Sequence, residues 1–477
     1  MVPFFVMCIS ISMVTWKCIR LLLDALSEGE VFRAGRPDSH CFSSKGGFQM
    51  KKLLVVLLAL FLVAGTVFAA AAGETAKAGE KKTITIGAES WEINKIFLEH
   101  AAQEFMAAHP DVTVEIVTIA DQTKLSNYIL DWAKGSTDVD LVFLDGGIFS
   151  AEYAAKGLIY DFEKDLHFFD DFPKSNFTAG SLETGLRDGA QMCLPAIYEV
   201  YGISINKAMF KEAGLVDANG EPLPIKTWDD FVEFAEKLTK KDKNGTITQV
   251  GGSIQFGNNL NTILGAALYS QFGNVYTDDG ITFNVDNEYV RNMIGAWQRG
   301  IQSGALSQST FVDNAGGRNG FKAGQIAMCY EAAGRWMEAV ATIGTENLAL
   351  IPIPGEFGGT ICFGCQMVIP KASKNPDLVC QFIKEAVYGE YSQTNAFTTY
   401  GKMSVIQKHF DAALEATPMW KGIADAMSKA KPMITYEESQ KWLEGLDQIF
   451  QSGLVSTTTT SADMVKQILD LSASIRK

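Results

Sequence analysis

The sequence predicts an α/β fold built as two domains. Three observations carry this. Short β-branched apolar runs alternate with amphipathic helical patterns from Thr83 to Lys156. The same alternation restarts after Pro195. The length also fits: of 477 residues, a leader ending at Ala71 would leave 406, which suits two domains of about 150–200 residues each. With 47% hydrophobic and 20% charged residues, a large core is affordable and global disorder is excluded.

The leader begins at Met50. Lys51 and Lys52 precede the apolar run Leu53 to Leu62, and the small-residue stretch Val67-Phe68-Ala69-Ala70-Ala71 follows. A positive end, a short apolar core and an A-x-A-like site make a secretory signal. The run is too short for a membrane span. Residues 1–49 show no sustained period and are expected to be a mis-assigned upstream extension; Lys45-Gly46-Gly47 fits codons that would read as a ribosome-binding site before Met50. The alternative, a membrane anchor on Met1 to Leu23, is interrupted by Lys17 and Arg20. Gly65-Thr66 stands where a lipid-attachment Gly-Cys would be needed. The expectation is an exported chain, released into the periplasm or extracellular space after cleavage.

Removing the leader takes seven basic and four acidic residues from totals of 41 and 55, leaving a net charge of −17. Such a surface repels nucleic acid and anionic lipid. Five of eight cysteines remain: Cys193, Cys329, Cys362, Cys365 and Cys380. An odd count argues against a full disulfide framework.

Ala72 to Lys82 reads as a polar lead-in. Thr83 to Ile86 is a β-branched strand. Ile96, Phe97, Ala101 and Phe105 share one helical face until His109-Pro110-Asp111 stops it. Val112 to Ile119 is a second strand, and Leu125, Ile129 and Trp132 mark a second helix ended by Gly135. Val139 to Leu144 is a third strand, and Gly146-Gly147 turns into a helix at Phe149–Lys156. This βαβαβ order implies a parallel sheet covered on both faces. Ligands of such sheets sit beyond the carboxyl ends of the strands, here Ala88–Glu92, Ala120–Gln122 and Asp145–Gly147.

In the second unit, Val200 to Ile205 alternates like a strand and Lys207 to Ala213 is helical, with Gly214 as its stop. Thr227 caps a helix through Phe231, Phe234 and Leu238, with Asp229 and Asp230 in its first turn. Asp242 to Gly245 is a turn with too few ligands for calcium. A helix is expected around Arg335-Trp336-Met337, strands at Leu348–Ile353 and Thr360–Ile369, and helices through the C-terminal third.

The order of these pieces resembles the extracellular solute-binding proteins of ABC importers, the large group that includes maltose- and other sugar-binding proteins. The resemblance covers Lys82 to Lys477. It rests on LVFLDGG and GLIYDFEKDL (Leu141–Gly147, Gly157–Leu166), LPAIYEVYGISINKAMFKEAGL (Leu194–Leu215) and TWDDFVEFAEKLTKKDKNG (Thr227–Gly245). GQIAMCYEAAGRW (Gly324–Trp336) and IPIPGEFGG with VIPKASKNPDLVCQFIKEAV (Ile351–Val387) complete it. The resemblance implies a type II periplasmic-binding-protein fold, with two α/β lobes joined by hinge crossings and a ligand cleft between them. Lobe one maps to 82–194 with 359–389, lobe two to 195–356 with 391–477, and a third crossing to Tyr391–Tyr400. It further implies a monomer without enzymatic activity or cofactor, whose partners are a carbohydrate and the ABC permease with its ATPase. The chain itself has no GxxxxGK followed by Ser or Thr.

A sugar presents a C–H face and a rim of hydroxyls, so its site needs aromatic plates beside polar side chains. The candidates at the implied cleft are Trp91, Glu92, Gln122, Asp145, Tyr198, Glu199, Tyr201, Glu331, Arg335, Trp336, Phe363, Gln366 and Tyr400. Each has a plainer alternative. Trp91 and Trp336 also fit core positions, and Asp145 also fits a helix cap. Tyr198 alternates with Glu199 and Tyr201, so the two sets face opposite ways. Glu331 and Arg335, four apart, also fit a helix-surface ion pair. Trp297, Trp420 and Trp442 read as packing residues.

Cys362-Phe-Gly-Cys365 precedes a strand pattern, not the helix that a redox CxxC opens. No second pair completes a zinc site, and free or locally paired thiols are expected. Two other functions stay open. A secreted glycoside hydrolase would need two carboxylates about 5–10 Å apart, and no GxSxG or HExxH is present. A binder of a polyamine or a phosphorylated alcohol is the other. A strongly anionic ligand needs clustered cations, and only Arg335 stands at the cleft read from sequence, which tilts the reading toward a neutral solute.

Overall fold

The computed structural model describes residues 81–475 except 179, 258–259, 281 and 434–437. The leader and the upstream extension lie outside the described residues. Eight strands carry the architecture: β1 (Lys82–Ala88), β2 (Val112–Thr118), β3 (Leu141–Asp145), β4 (Leu194–Asn206), β5 (Ile247–Ile254), β6 (Ile326–Ala332), β7 (Leu348–Ile351) and β8 (Ile361–Val368). Their order is β2-β1-β3-β8-β4-β6-β5, with β7 also on β4.

The first three strands are parallel, as the crossover helices between them require. The expected all-parallel sheet ends there. β8 runs antiparallel to β3, with Cys365 opposite Asp145, and β4 runs antiparallel to β8. A strand that returns from a distant part of the chain needs no crossover helix, so nothing forces it to be parallel.

β4 is longer than its alternation suggested because it serves two neighbourhoods. From Leu194 to Val200 it pairs with β8, and Met403–Ser404 pairs with it at Tyr198 and Ile197. From Tyr201 onward it pairs with β6 and then β7. One strand therefore carries the chain between two cores. The first core begins with Ile84, Ile86, Phe105 and Phe143, and continues across the strand to Trp336, Phe397 and Trp420. The second gathers Phe210, Trp228, Phe231, Trp297, Tyr330 and Phe450. A satellite cluster of Tyr128, Trp132 and Tyr153 fills the outer face beside β3.

Local signals explain the boundaries. Thr227 and Asp230 form a reciprocal capping box at the Trp228–Leu238 helix. The helix expected over Ile96–Phe105 starts at Leu98 and runs to Ala108; a separate short helix, Ser90–Lys95, precedes it, and Phe97 between them has φ 56°. Arg335 and Trp336 lie on a 3₁₀ helix, Ala333–Ala339, not an α-helix. No helix among the described residues is long and apolar enough to cross a membrane.

Candidate functional site

Two adjoining cavities open where β1, β3 and β8 meet the second core. They share Asp145, Asn314 and Phe363. Phe363 leaves β8 half-buried between them. Its ring occupies the space over Gly146, where a Cβ would come within 2.5 Å of it. Gly146 also has φ 81°, so a side chain there is excluded twice, by conformation and by contact. Gly146, the first of the two glycines read from sequence as a turn, thus makes room for an aromatic plate.

The first cavity, about 270 Å³, has an uncharged lining apart from Asp145. Gln122 and Thr184 face it from one side; Asn261, Thr262, Ser439 and Gln440 from the other, with Met433 and Leu443 as apolar wall. Gln122 is placed by the preceding residue: Asp121 caps the helix by accepting from the Thr123 and Lys124 N–H groups.

The second cavity, about 260 Å³, is lined by Trp91, Lys95, Glu199 and Tyr201, and by Gln255, Arg318 and Arg335, besides the shared residues. Trp91 is fixed at the first turn of its helix, where its Nε1 donates to Glu89 at 2.7 Å. Glu199 and Tyr201 alternate on β4 and face this cavity. Tyr198, pointing the other way, stacks on Phe410 at 6.5 Å in the first core.

Charge crowds the second cavity. Glu199 pairs with the buried Lys402 and lies 3.8 Å from Arg335. Glu338 takes a bond from Arg335 at 2.9 Å and ion pairs with Lys322 at 3.0 Å and Lys95 at 3.6 Å. Burial opposes ionisation of Glu338, but Arg335, Lys95 and Lys322 hold its carboxyl down at about 2. Lys95 is pushed down to about 8, first by burial and then by the Arg335 charge, with Glu338 opposing. Asp145 is exposed to both cavities while protein surrounds it. Burial raises its pKa, and Lys402 pulls against that. Lys402 is itself pushed down by burial and by Lys95.

Of the remaining candidates, only Gln366 lines either cavity. Glu92 is fully buried. It accepts from the Glu89 N–H at 2.8 Å and the Cys365 thiol at 3.1 Å, and burial raises its pKa to about 8. Glu331 is buried and pairs with Arg318 at 3.3 Å, not with Arg335, because the chain leaves β6 before the helical i,i+4 spacing is reached. Trp336 packs on Trp420, ring centroids 6.0 Å apart. Gln366 touches the first cavity but is spent on Arg187, Ser150 and the Thr184 carbonyl. Tyr400 packs on Phe97 outside both cavities. Asp145 does not cap the next helix, whose cap is Gly147.

Lys95, Arg318, Gln255 and Asn314 had no local signature in the sequence. They come from three separate segments, Asn314 and Arg318 sharing one, that only folding brings together. All five described cysteines are free and buried. Cys362 and Cys365 lie within β8, where burial raises both thiols, so neither is poised as a thiolate.

A sequence profile for the bacterial extracellular solute-binding protein family matches residues 88–387. No curated protein sequence matches the chain. Solved structures share its fold. The GacH receptor of Streptomyces glaucescens, solved unliganded and with acarbose, aligns at TM-score 0.68 and 17% identity, over 83% of this chain and 98% of that one. Maltose-bound MalE3 of T. maritima aligns at 0.67 and 18%, over 83% and 99%. An ABC substrate-binding protein of Listeria monocytogenes in complex with cycloalternan aligns at 0.65 and 18%, over 83% and 98%.

Proposed function

Because the chain belongs to the bacterial extracellular solute-binding protein family, we propose that it captures a sugar or oligosaccharide between its lobes and presents it to the permease of an ABC importer. The observation that carries this reading is the pair of aromatic plates, Trp91 and Phe363, set in a cleft rimmed by the amides of Gln122, Gln255 and Asn314. Rings cover the C–H face of a sugar while amides and carboxylates take its hydroxyls. The acarbose, maltose and cycloalternan complexes of proteins with this fold lend support.

Capture works by closure. A ligand touching both sides of the cleft favours the closed state only by its differential affinity for that state. β4 is the natural hinge, since its two halves belong to different pairings. The leader-like stretch Met50–Ala71 agrees with export before capture. Hydrolysis is the weaker reading, since Glu199 is held by Lys402 and Arg335 and is ill-suited to pair with Asp145 as a free acid. A polyamine is disfavoured by the three cations lining the second cavity.

A thermal-shift screen of mono- and oligosaccharides on the purified protein tests the proposal. One or a few should raise the melting temperature by several degrees and be recovered unaltered. A response confined to another solute class, or a cleaved ligand, overturns it.

A further inference from the structure

The second cavity holds more positive charge than a neutral sugar requires. Lys95, Arg318 and Arg335 line it, reaching in from the Ser90–Lys95 helix, the Gly316–Lys322 helix and the Ala333–Ala339 turn. Their partners Glu331 and Glu338 do not line the cavity and brace the cations from behind. Each guanidinium keeps donors in reserve. Among the described residues, Arg318 makes one hydrogen bond, from Nε to Glu331 at 3.3 Å. Arg335 makes one, from Nη1 to Glu338 at 2.9 Å; its Nη2 lies 3.8 Å from Glu199 with no hydrogen bond made, and its buried Nε has no partner. Two forked donor groups held by anions at their backs fit a planar or tetrahedral oxyanion.

The cavity has two carboxylates of its own. Glu199 is paired with the buried Lys402 and lies 3.8 Å from one edge of the Arg335 guanidinium. Asp145 stands at the junction with the first cavity, leaving the Arg318–Arg335–Lys95 wall to the ligand. The Lys95 ammonium is pushed down first by burial and then by repulsion from Arg335 and Arg318, with Glu338 opposing, and an arriving anion would relieve the repulsion.

The geometry points to a sugar bearing an acid group, a carboxylate or a phosphate, as the solute, with that group on Arg318, Arg335 and Lys95. Its uncharged residues would extend past Phe363 into the first cavity. This rests on the sugar-capture reading above and narrows its substrate class.

The test pairs neutral oligosaccharides with uronate-containing counterparts of the galacturonate, glucuronate and mannuronate series, and with sugar phosphates, by calorimetry on the purified protein. A uronate or a phosphate should bind at least tenfold tighter than its neutral counterpart; which of the two does so assigns the oxyanion. Its affinity should fall as salt rises from 0.05 to about 0.5 M, since screening weakens partly exposed charge pairs. Arg318→Gln should erase the preference for the acidic member of each pair. Lys95→Met provides a second probe, since Arg318 also neutralises the buried Glu331, and the salt series needs no variant. Neutral sugars binding as tightly as acidic ones, without salt dependence, overturn the acid-group inference but leave sugar capture standing. Stabilisation by no carbohydrate of any charge, with a response to another class of solute, overturns both.

Discussion

The two cavities meet at Phe363 but are built differently. Apart from Asp145, the first is lined by uncharged side chains, some exposed, such as Gln122 and Gln440, and others buried, such as Thr184 and Thr262. The second is lined by charged groups held by a partly buried network: the buried Lys402 under Glu199, the buried Glu331 under Arg318, and the half-buried Glu338 among Lys95, Lys322 and Arg335. Surface groups bind without costing the fold much. Buried charges must be paired and so tie recognition to stability. Mutations at the exposed rim of the first cavity should therefore touch binding alone, and mutations in or behind the second should touch both.

The sharpest test lies behind the charged cavity. Trp336→Ala opens a hole against Trp420 beside Arg335 and should lower stability by about 4 kcal/mol, read by urea unfolding. If it instead abolished sugar binding in a protein of normal stability, Trp336 would belong to the site. Glu199→Gln leaves the buried Lys402 ammonium without its counterion and should cost about 3 kcal/mol in the same assay. An unchanged midpoint would show that the network is not load-sharing with the fold.

The third test uses pH. Burial raises Glu92 from 4.5 to about 8, so the folded state keeps a proton that the unfolded chain has lost. Stability from this group is full below about 4.5 and falls as pH rises toward 8. Between pH 5 and 7 the wild type should lose about 2 kcal/mol relative to Glu92→Gln, measured by denaturation at both pH values. Parallel profiles would refute the assignment. At the cleft, Trp91→Ala should weaken sugar binding by about 1–2 kcal/mol, the scale of aromatic contact, with less effect on the unfolding midpoint than Trp336→Ala. Gln122→Ala, at the exposed rim of the neutral cavity, should change stability by less than about 0.5 kcal/mol and binding only a few-fold. A collapse of the fold there would erase the contrast between the cavities.

The two tryptophans show how far sequence reasoning reaches. Trp91 and Trp336 looked equivalent on paper, each an aromatic near an expected cleft. Trp91 lies at a strand's carboxyl end, a position that topology predicts from order alone. Trp336 lies one turn past a strand, and whether its ring faces ligand or core depends on a partner 84 positions later, Trp420. The alternation of Tyr198, Glu199 and Tyr201 correctly separated two faces, but which face meets the cleft depends on Phe410 and Phe363 packing on opposite sides. The cation cluster left no trace in the sequence: Lys95 and Arg318 are 223 positions apart, and nothing local marks either as a neighbour of Arg335.

What the sequence by itself determined was the local grammar. Strand and helix periods, the Thr227 cap, the Gly146-Gly147 turn and the order of the pieces all follow from interactions within a few residues, and these suffice for the α/β class and the family likeness. Tertiary structure alone decided that the sheet turns antiparallel beyond β3, that Glu92 and Glu331 are interior while Glu199 faces the cleft, and that three cations converge. Burial and Coulomb interaction depend on distance in space, and the chain specifies that distance only once both cores have closed around β4.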